Sequence, residues 1–322
     1  MQYYFAPMEG VTGAVYRRAH QKYFPGVDKY FMPFFTPTAA ARFTPRQKRE
    51  LAPALDAGVP TVPQLLTKNA ADFIWAANAL FDMGFDEVNL NLGCPSGTVT
   101  AKGKGAGFLA QPDALDRFFD AVFAVCAGRI SVKTRLGMHD PAEFDRVLAV
   151  YDRYPIAELT IHPRVRQDFY KGSVRHEAFA AALSRCVMPV CYNGDIVTER
   201  DACAVQARYP SVGALMIGRG LIADPSLVTR LRGGARADKC TLEAFHHDLF
   251  DGYTAAFGDR RTAILRMKEV WFYHLGLFAD SEKHGKRLRK AVSPQEYEAA
   301  AAAIFHELAL LDDAAPRWFQ PA

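Results

Sequence analysis

Residues 86–97, with the sequence DEVNLNLGCPSG, decide how this chain folds. Val88, Leu90 and Leu92 alternate with acidic and amide residues, and this alternation predicts a buried β-strand. A glycine and a proline end the strand abruptly, and Cys94 lies between them. The chain therefore places a thiol just beyond the carboxyl end of a strand.

Seven more short apolar runs have the same character, and helical patterns lie between most of them. The eight predicted strands are residues 3–6, 29–33, 61–66, 87–92, 130–135, 158–162, 188–193 and 212–217. Apolar side chains recur at helical spacing in residues 70–83 and 113–125, and residues 142–154, 175–184 and 198–208 continue the alternation. Eight strands alternating with helices predict an α/β protein with a (β/α)8 TIM barrel, whose usual size is ~250 residues.

A doubly wound parallel sheet is the competing fold. Such a sheet normally carries the nucleotide-binding motif G-x-G-x-x-G after its first strand. Residues 7–13 of this chain, which follow the first predicted strand, read PMEGVTG instead. The sequence therefore favours the barrel.

Beyond residue 234 the strand pattern stops and only helical patterns remain. Residues 242–257, 262–278 and 294–311 are the three clear predicted helices. We therefore expect a catalytic barrel over residues 1–235, followed by a C-terminal all-α helical domain over residues 239–322.

The composition limits the class of protein. The chain has 322 residues, of which 50% are hydrophobic and 23% charged, with a formal net charge of +4. It contains neither an apolar run of the ~18 residues that span a bilayer nor a signal segment, so we expect a cytoplasmic protein without a membrane partner. The six cysteines form no C-x-x-C pair, which argues against metal sites and disulfides alike. We also expect a monomer.

In a TIM barrel the active site lies at the carboxyl ends of the strands, and polar residues follow most of the predicted strands here. The residues at these ends are Pro7, Met8, Gln64, Asn91, Cys94, Lys133, Arg135, His162, Arg164, Asn193, Gly194, Asp195, Gly218 and Arg219. Lys133 lies within an apolar run and needs an anionic partner, because burying a charge is costly. The glycines and arginine of the last two loops suit a phosphate. Together these residues predict a cradle for a phosphorylated flat cofactor, most simply FMN.

Several motifs occur in a fixed order along nearly the whole chain. They are APMEGVT at residues 6–12, Gln64, NLNLGCP at 89–95 with the glycine-rich loop to Gly107, KTRLG at 133–137, HPR at 162–164 with Tyr170 and Gly172, NGDI at 193–196 and IGRG at 217–220. This series resembles the bacterial tRNA-dihydrouridine synthases. The resemblance implies an FMN-containing barrel with a C-terminal helical domain. It also implies reduction of the 5,6 double bond of particular uridines in tRNA, with NADPH or NADH as the reductant.

The resemblance assigns roles to individual residues. Cys94 matches the catalytic cysteine of the family, and Asn91 matches a residue that helps to hold the uracil. The remaining matches are cofactor contacts: Lys133 and Gln64 at the isoalloxazine, and His162, Asn193, Gly218 and Arg219 at the ribityl chain and phosphate. We assign Pro7, Met8, Gly194 and Asp195 to the cofactor site as well, and Arg135 and Arg164 to the substrate. In the implied mechanism, N5 of the reduced flavin gives a hydride to C6 of the uracil, and Cys94 gives a proton to C5.

A uracil within folded RNA reaches a barrel mouth only when it is extruded, which calls for a basic surface beside the site. Residues 260–290 hold nine Lys or Arg residues against three Asp or Glu residues. Arg287, Arg289 and Lys290 are therefore predicted to bind tRNA, although a solvated helix face also explains such a charge run. Further candidates are Arg42, Arg46, Lys48, Arg49, Lys102 and Lys104.

Three other functions compete with this one. A flavin barrel that acts on a free pyrimidine would share the mouth but would not need the basic helical segment. An RNA-binding protein without turnover would not need Cys94. An aldolase with Lys133 as a Schiff-base lysine would need neither Gln64 nor the turn at Pro7 and Met8. Pro163 and residues 96–98 differ from the commonest family wording, so the modified uridine is not assigned.

Overall fold

The computed structural model describes residues 1–56 and 58–315, in which parallel strands form a closed ring. The strands are β1 (Gln2–Phe5), β2 (Lys29–Phe31), β3 (Thr61–Val62), β4 (Gln64–Leu65), β5 (Glu87–Leu92), β6 (Arg129–Arg135), β7 (Leu159–His162), β8 (Val190–Asn193) and β9 (Ala214–Ile217). Their order in the sheet is β3-β2-β1-β9-β8-β7-β6-β5-β4. All of their pairings are parallel, as the predicted barrel requires.

The ring closes at Pro63, which separates β3 from β4. Both segments belong to one predicted strand, and proline interrupts it because it has no N–H to donate to a ladder. β3 pairs with β2 and β4 pairs with β5, so the two ends of the sheet are joined by a single peptide stretch. The carbonyl oxygen of Pro63 accepts the N–H of Asn89 at 2.8 Å, which continues the contact across the break. The TIM barrel is therefore confirmed, and the doubly wound alternative is wrong.

Fourteen α-helices lie within the described residues. Those up to residue 231 are α1 (Ala14–Tyr23), α2 (Pro45–Asp56), α3 (Ala70–Asp82), α4 (Gly97–Thr100), α5 (Pro112–Phe123), α6 (Phe144–Tyr151), α7 (His176–Arg185), α8 (Glu199–Arg208), α9 (Arg219–Ala223) and α10 (Leu227–Leu231). The others are α11 (Lys239–Phe257), α12 (Arg260–His274), α13 (Glu282–Lys290) and α14 (Pro294–Glu307). Short 3₁₀ helices occur at Gly105–Ala110, Pro141–Glu143, Arg166–Asp168 and Leu275–Leu277.

The alternation in β5 decides which side chains face the helices and which face the inside of the barrel. Val88, Leu90 and Leu92 are fully buried in the apolar layer between sheet and helices. Asn89 and Asn91 alternate with them and point to the opposite face, because the side-chain period of a strand is two. The interior of the barrel is therefore partly polar beneath its carboxyl end.

A buried ionic cluster closes the barrel at the amino ends of its strands. Lys29 donates to Glu87 at 2.8 Å, and the hydroxyl of Tyr4 donates to Glu158 at 2.8 Å. Below the mouth, small and aromatic residues form a separate apolar cluster that includes Phe31. The open, cationic end is consequently the carboxyl end, where TIM barrels place their active sites.

The C-terminal helices pack directly on the barrel and support its first turn. Phe245 of α11 makes an edge contact with Phe24 at a centroid distance of 5.0 Å. The hydroxyl of Tyr253 donates to the carbonyl of Val11 at 3.2 Å, and Arg266 of α12 donates to Gly10 at 3.3 Å. Three of these helices match the predicted ones, α13 is an additional helix, and residues 316–322 of the expected helical domain lie outside the described residues. Within the part of the chain that the structure describes, no helix is long and apolar enough to cross a membrane.

Buried histidines predict an acid-sensitive fold. Burial lowers the pKa of His20 and His246 to about 3 and that of His274 to about 4. The folded protein keeps them neutral, whereas the unfolded chain protonates them near pH ~6.5. Their contribution to stability is therefore complete above that pH and is lost as the pH falls towards 4, at about 1.4 kcal/mol per histidine and pH unit.

Urea unfolding of the wild type and of His246→Gln between pH 7.5 and 5 measures this effect. The variant should lose less stability than the wild type over this interval, because it has one titrating group fewer. Equal losses in the two proteins would contradict the assignment of His246 as a buried neutral imidazole.

Candidate active site

An open cavity lies at the carboxyl ends of the strands. TIM barrels place their active sites at this end. Ten residues predicted from the sequence line it together: Pro7, Met8, Lys133, Arg135, His162, Asn193, Gly194, Asp195, Gly218 and Arg219. Gly93 also lines the cavity, so the Cys94 loop forms part of its wall.

Lys133 reaches into this cavity from β6. Its Nζ donates to Oδ1 of Asn193 at 2.7 Å, which is a neutral partner. Burial and, next, the charge of Arg135 lower the pKa of Lys133 to about 7. Among the described residues no carboxylate pairs with this lysine, so an anionic partner has to come from a ligand.

Asp195 holds two arginines at one side of the cavity. Its carboxylate accepts from Arg164 at 2.5 and 3.0 Å and from Arg219 at 3.2 Å. The backbone of Asp195 has φ 45°, in the left-handed region that a non-glycine residue rarely adopts and that is often found at functional sites. The single carboxylate thus orients two guanidinium groups without cancelling the positive charge of the cavity.

His162 is a neutral member of this cluster. Burial and, next, the charge of Arg135 hold its pKa well below the ordinary value. Arg164 donates to Nε2 of His162 at 3.0 Å, and since arginine only donates, the imidazole proton belongs on Nδ1. His162 can therefore donate one hydrogen bond to a ligand.

The donors present fit a phosphorylated flavin. Lys133 and Arg219 supply positive charge, and Nε of Arg164 is buried without a hydrogen-bond partner. Gly218 lines the cavity together with Ala6 and Met8, and without a Cβ its backbone is accessible to a ligand. Cationic groups on one side and a close backbone approach on the other suit a phosphate joined to a ring system.

The Cys94 loop is held by its own backbone. Oδ1 of Asn91 accepts the N–H groups of Gly93 at 3.1 Å and of Cys94 at 2.9 Å. Gly105, at φ +56°, packs so tightly that a Cβ there would lie 2.9 Å from the carbonyl oxygen of Cys94. Burial raises the pKa of the half-buried Cys94 thiol. A hydrogen bond from the backbone N–H of Ser96 opposes this shift without reversing it. The sulfur is therefore protonated at neutral pH.

Arg135 ties two loops of the mouth together. It is buried, and its guanidinium donates to the carbonyls of Gly93 at 2.9 Å, Val165 at 3.0 Å and Phe169 at 2.7 Å. These contacts use donors on all three of its nitrogens. The structure thus places this predicted substrate residue in the wall of the cavity, where it fixes the position of the Cys94 loop.

Three predicted residues, Gln64, Asn91 and Arg164, are buried outside the cavity lining. Tyr170, to which the sequence assigned no role, lines the cavity and is 49% exposed. Its ring lies 5.3 Å from the guanidinium of Arg135 and 5.1 Å from that of Arg219. Its place after HPR in the ordered motifs was the signal that could have identified it.

The predicted RNA-binding cations lie elsewhere, on α13. This helix exposes five cations to solvent: Lys283, Lys286, Arg287, Arg289 and Lys290. None of the five forms an ion pair with another residue in the described ranges, and Glu282 is the one acidic residue of the helix. Among residues 1–56 and 58–315 no group of three or more His, Cys, Asp or Glu side chains is arranged to hold a metal ion.

A closed parallel barrel with a cationic cavity at its mouth and a protonated thiol in the adjoining loop defines a TIM-barrel enzyme. The chain belongs to the dihydrouridine synthase (Dus) family, whose model matches residues 4–312.

Three curated relatives illustrate the match. A probable tRNA-dihydrouridine synthase of Rhodobacter capsulatus is 31% identical over 68% of this chain and 67% of its own length. The tRNA-dihydrouridine synthase B of Pasteurella multocida is 27% identical over 74% of this chain and 71% of its own. The tRNA-dihydrouridine(16) synthase of Ralstonia nicotianae is 31% identical over 71% and 72%.

Solved structures share the barrel at low identity. Morphinone reductase superimposes with a TM-score of 0.54 at 15% identity, covering 74% of this chain and 87% of its own. TcOYE, whose crystal structure was solved with pHBA, gives a TM-score of 0.54 at 12% identity, covering 79% of this chain and 94% of its own. These two similarities show that the fold is shared.

The lowered pKa of Lys133 predicts pH-dependent binding of an anionic ligand. A bound anion favours the ammonium and raises this pKa. Binding is therefore tight below pH 7 and weakens by up to about tenfold per pH unit as the pH rises above 7. Fluorescence titration with FMN between pH 6.5 and 8.5 measures the change.

Lys133→Gln should bind FMN more weakly and with little pH dependence. Lys48→Gln, at an exposed lysine of α2, is the matched control and should keep the wild-type profile. A wild-type affinity that stays constant over this pH range would contradict the role of Lys133 as a titrating anion contact.

Proposed function

We propose that this protein is a flavin-dependent tRNA-dihydrouridine synthase that reduces the 5,6 double bond of uridine in tRNA, with NADPH or NADH as reductant. The observation that carries the proposal is the cationic cavity whose wall continues into the loop of a protonated thiol, Cys94. Membership of the dihydrouridine synthase family and relatives named as tRNA-dihydrouridine synthases support it.

FMN is the proposed cofactor. Arg219 would hold its phosphate, and Asp195, which also pairs with the buried Arg164, keeps the guanidinium of Arg219 in place. Lys133 would contact the ring system, and His162 can donate from Nδ1. When bound and reduced, the flavin supplies the hydride that C6 of the uracil receives.

Cys94 is proposed as the general acid that gives its Sγ proton to C5 of the uracil. A raised pKa suits this role, because the residue must hold a proton at neutral pH in order to donate it. Asn91 and Arg135 hold the backbone on either side of Sγ, through the N–H of Cys94 and the carbonyl of Gly93. The thiolate left after the transfer lies near the positive charges of Arg135 and Lys133, which oppose the effect of burial on the thiol.

The tRNA is proposed to lie across the mouth with its target uridine extruded, because the site is a cavity that a stacked base cannot enter. The exposed cations of α13 offer phosphate contacts. We therefore propose a division of labour in which residues 1–235 form the catalytic barrel and residues 239–322 bind tRNA.

The competing functions account for fewer features. Reduction of a free pyrimidine would use the cavity but leaves the cations of α13 without a purpose. Binding of RNA without turnover leaves the thiol of Cys94 unused. A lysine with a pKa of about 7 could form a Schiff base, but this leaves both Cys94 and α13 unexplained.

The proton-donor role predicts a specific loss in Cys94→Ala. The wild type should be yellow, release FMN on heat denaturation, be bleached by NADPH and form dihydrouridine in tRNA, with the position mapped by mass spectrometry. The variant should keep flavin and tRNA binding and lose about 100-fold or more in the rate of dihydrouridine formation.

Cys203→Ala, at an exposed cysteine of α8, is the matched control and should keep full activity. Full activity in Cys94→Ala would remove the proton-donor role. A colourless wild-type protein that releases no flavin on heating would show that FMN is not its cofactor.

The role of α13 predicts a change in salt dependence. Replacing Arg287, Arg289 and Lys290 by glutamine should weaken tRNA binding. The slope of log affinity against log salt should fall by about 2 to 3, because up to three phosphate contacts are lost. Flavin content and its reduction by NADPH should stay unchanged.

The control carries the same loss of charge on the barrel, with Arg146, Arg153 and Arg185 replaced by glutamine. These exposed arginines pair with aspartates around α5, α6 and α7. Equal salt slopes in both triple variants would mean that α13 is a solvated surface.

A further inference from the structure

A continuous row of buried polar side chains crosses the barrel beneath the Cys94 loop. Nδ2 of Asn89 donates to Oγ of Ser131 at 2.8 Å, and Nε2 of Gln64 donates to Oδ1 of Asn89 at 2.8 Å. Nδ2 of Asn91 then donates to Oε1 of Gln64 at 2.7 Å, and Oδ1 of Asn91 accepts the N–H of Cys94 at 2.9 Å. We call Ser131, Asn89, Gln64 and Asn91 the amide row.

The direction of the amide row follows from its last member. A backbone N–H can only donate, so the N–H of Cys94 requires the oxygen of Asn91 to face it. The nitrogen of Asn91 then faces Gln64 and requires an oxygen there, and the same requirement passes on to Asn89. Ser131 ends the row with a hydroxyl oxygen that accepts. The backbone N–H groups of Gly93 and Cys94 therefore fix the orientation of three amides, and the hydroxyl of Ser131 accepts at the other end of the row.

Burial makes this orientation hard to change. Gln64 and Asn89 are fully buried, Ser131 is 1% exposed and Asn91 is 7% exposed. Turning Gln64 or Asn91 over would place like groups against each other on both sides, and turning Asn89 over would do so against Gln64. Burial keeps solvent from replacing the lost bonds. The four side chains come from three adjacent strands and are linked by hydrogen bonds, so the orientation of one determines that of the others.

The amide row reaches the site through its last member. Gln64 and Asn91 are buried outside the cavity lining, and Oδ1 of Asn91 accepts the N–H of Cys94. The row therefore acts on the site by fixing the Cys94 loop.

We propose that Asn89 and Ser131 are positioning residues of the reductase site. They hold Gln64 and Asn91 in a single orientation, and through Asn91 they keep the Cys94 loop in its place. The inference rests on the proposed function of Cys94. Neither Asn89 nor Ser131 lines the cavity, so both act only through the residues that they orient.

Two substitutions of similar size at Asn89 separate orientation from packing. Asn89→Leu removes the acceptor for Gln64, whereas Asn89→Asp keeps one oxygen for Gln64 and a second that can accept the hydroxyl proton of Ser131. We expect the kcat of dihydrouridine formation to fall about tenfold to hundredfold in the leucine variant, with an unchanged Kd for tRNA. The aspartate variant should stay within about threefold of the wild type.

A second measurement reads the thiol itself and needs no turnover. Alkylation of Cys94 by iodoacetamide is followed against pH, with the Cys94 peptide quantified by mass spectrometry. Release of the loop in Asn89→Leu should speed the reaction several-fold and move its pH midpoint down towards the ~8.5 of a free cysteine. The profile of Asn89→Asp should match that of the wild type.

Val132→Ala is the control for a purely structural effect. Val132 neighbours Ser131 on β6 and is buried in the outer apolar layer, so its truncation lowers stability without touching the amide row. It should leave both kcat and the alkylation profile unchanged. If Asn89→Leu fails to fold, Ser131→Ala takes its place, with a smaller change expected in the same direction.

The outcomes separate the two proposals. A wild type that forms no dihydrouridine overturns the proposed function, while the alkylation profiles still decide whether the amide row positions Cys94. Wild-type kcat and alkylation profiles in the folded Asn89→Leu or Ser131→Ala variant overturn the inference. A loss of stability with an unchanged profile also overturns it, because the row would then serve folding only.

Discussion

Closure of the barrel through Thr61–Val62 and Gln64–Leu65 is the constraint on which the rest of the structure depends. These two short strands pair with neighbours on opposite sides, and only their junction turns an open sheet into a ring. A ring brings the carboxyl ends of strands that are distant in sequence to one mouth. Gln64 belongs to this junction, so the segment that closes the barrel also enters its polar interior.

The mouth is built around an imbalance of charge. Lys133, Arg135 and Arg219 meet there, and Asp195 is the carboxylate that pairs with Arg219 and with the buried Arg164 behind it. Burying a cation without an anionic partner costs free energy, and this cost lowers the pKa of Lys133 because burial disfavours its charged form. An anionic cofactor would relieve this cost, which connects the electrostatics of the cavity with the proposed function.

The same cations serve a second purpose at the Cys94 loop. The guanidinium of Arg135 donates hydrogen bonds to three backbone carbonyls, including that of Gly93, and these bonds hold the Cys94 loop in position. The thiol itself stays neutral because burial outweighs the nearby positive charges. A protonated thiol held in a fixed loop, beside a cavity that attracts an anion, is what the proposed acid-assisted hydride transfer would require.

The sequence by itself determined the strands, most helices and the set of residues at the strand ends. Periodicity and turn residues act locally, so Val88, Leu90, Leu92 and the Gly93–Pro95 turn predict a strand and its end without knowledge of any partner. Only the tertiary structure decided that Pro63 splits a strand, that Arg135 binds backbone carbonyls and that Ser131 and Asn89 orient Gln64 and Asn91. These contacts depend on the register between paired strands. Local sequence patterns do not specify how strands that lie tens of residues apart are aligned.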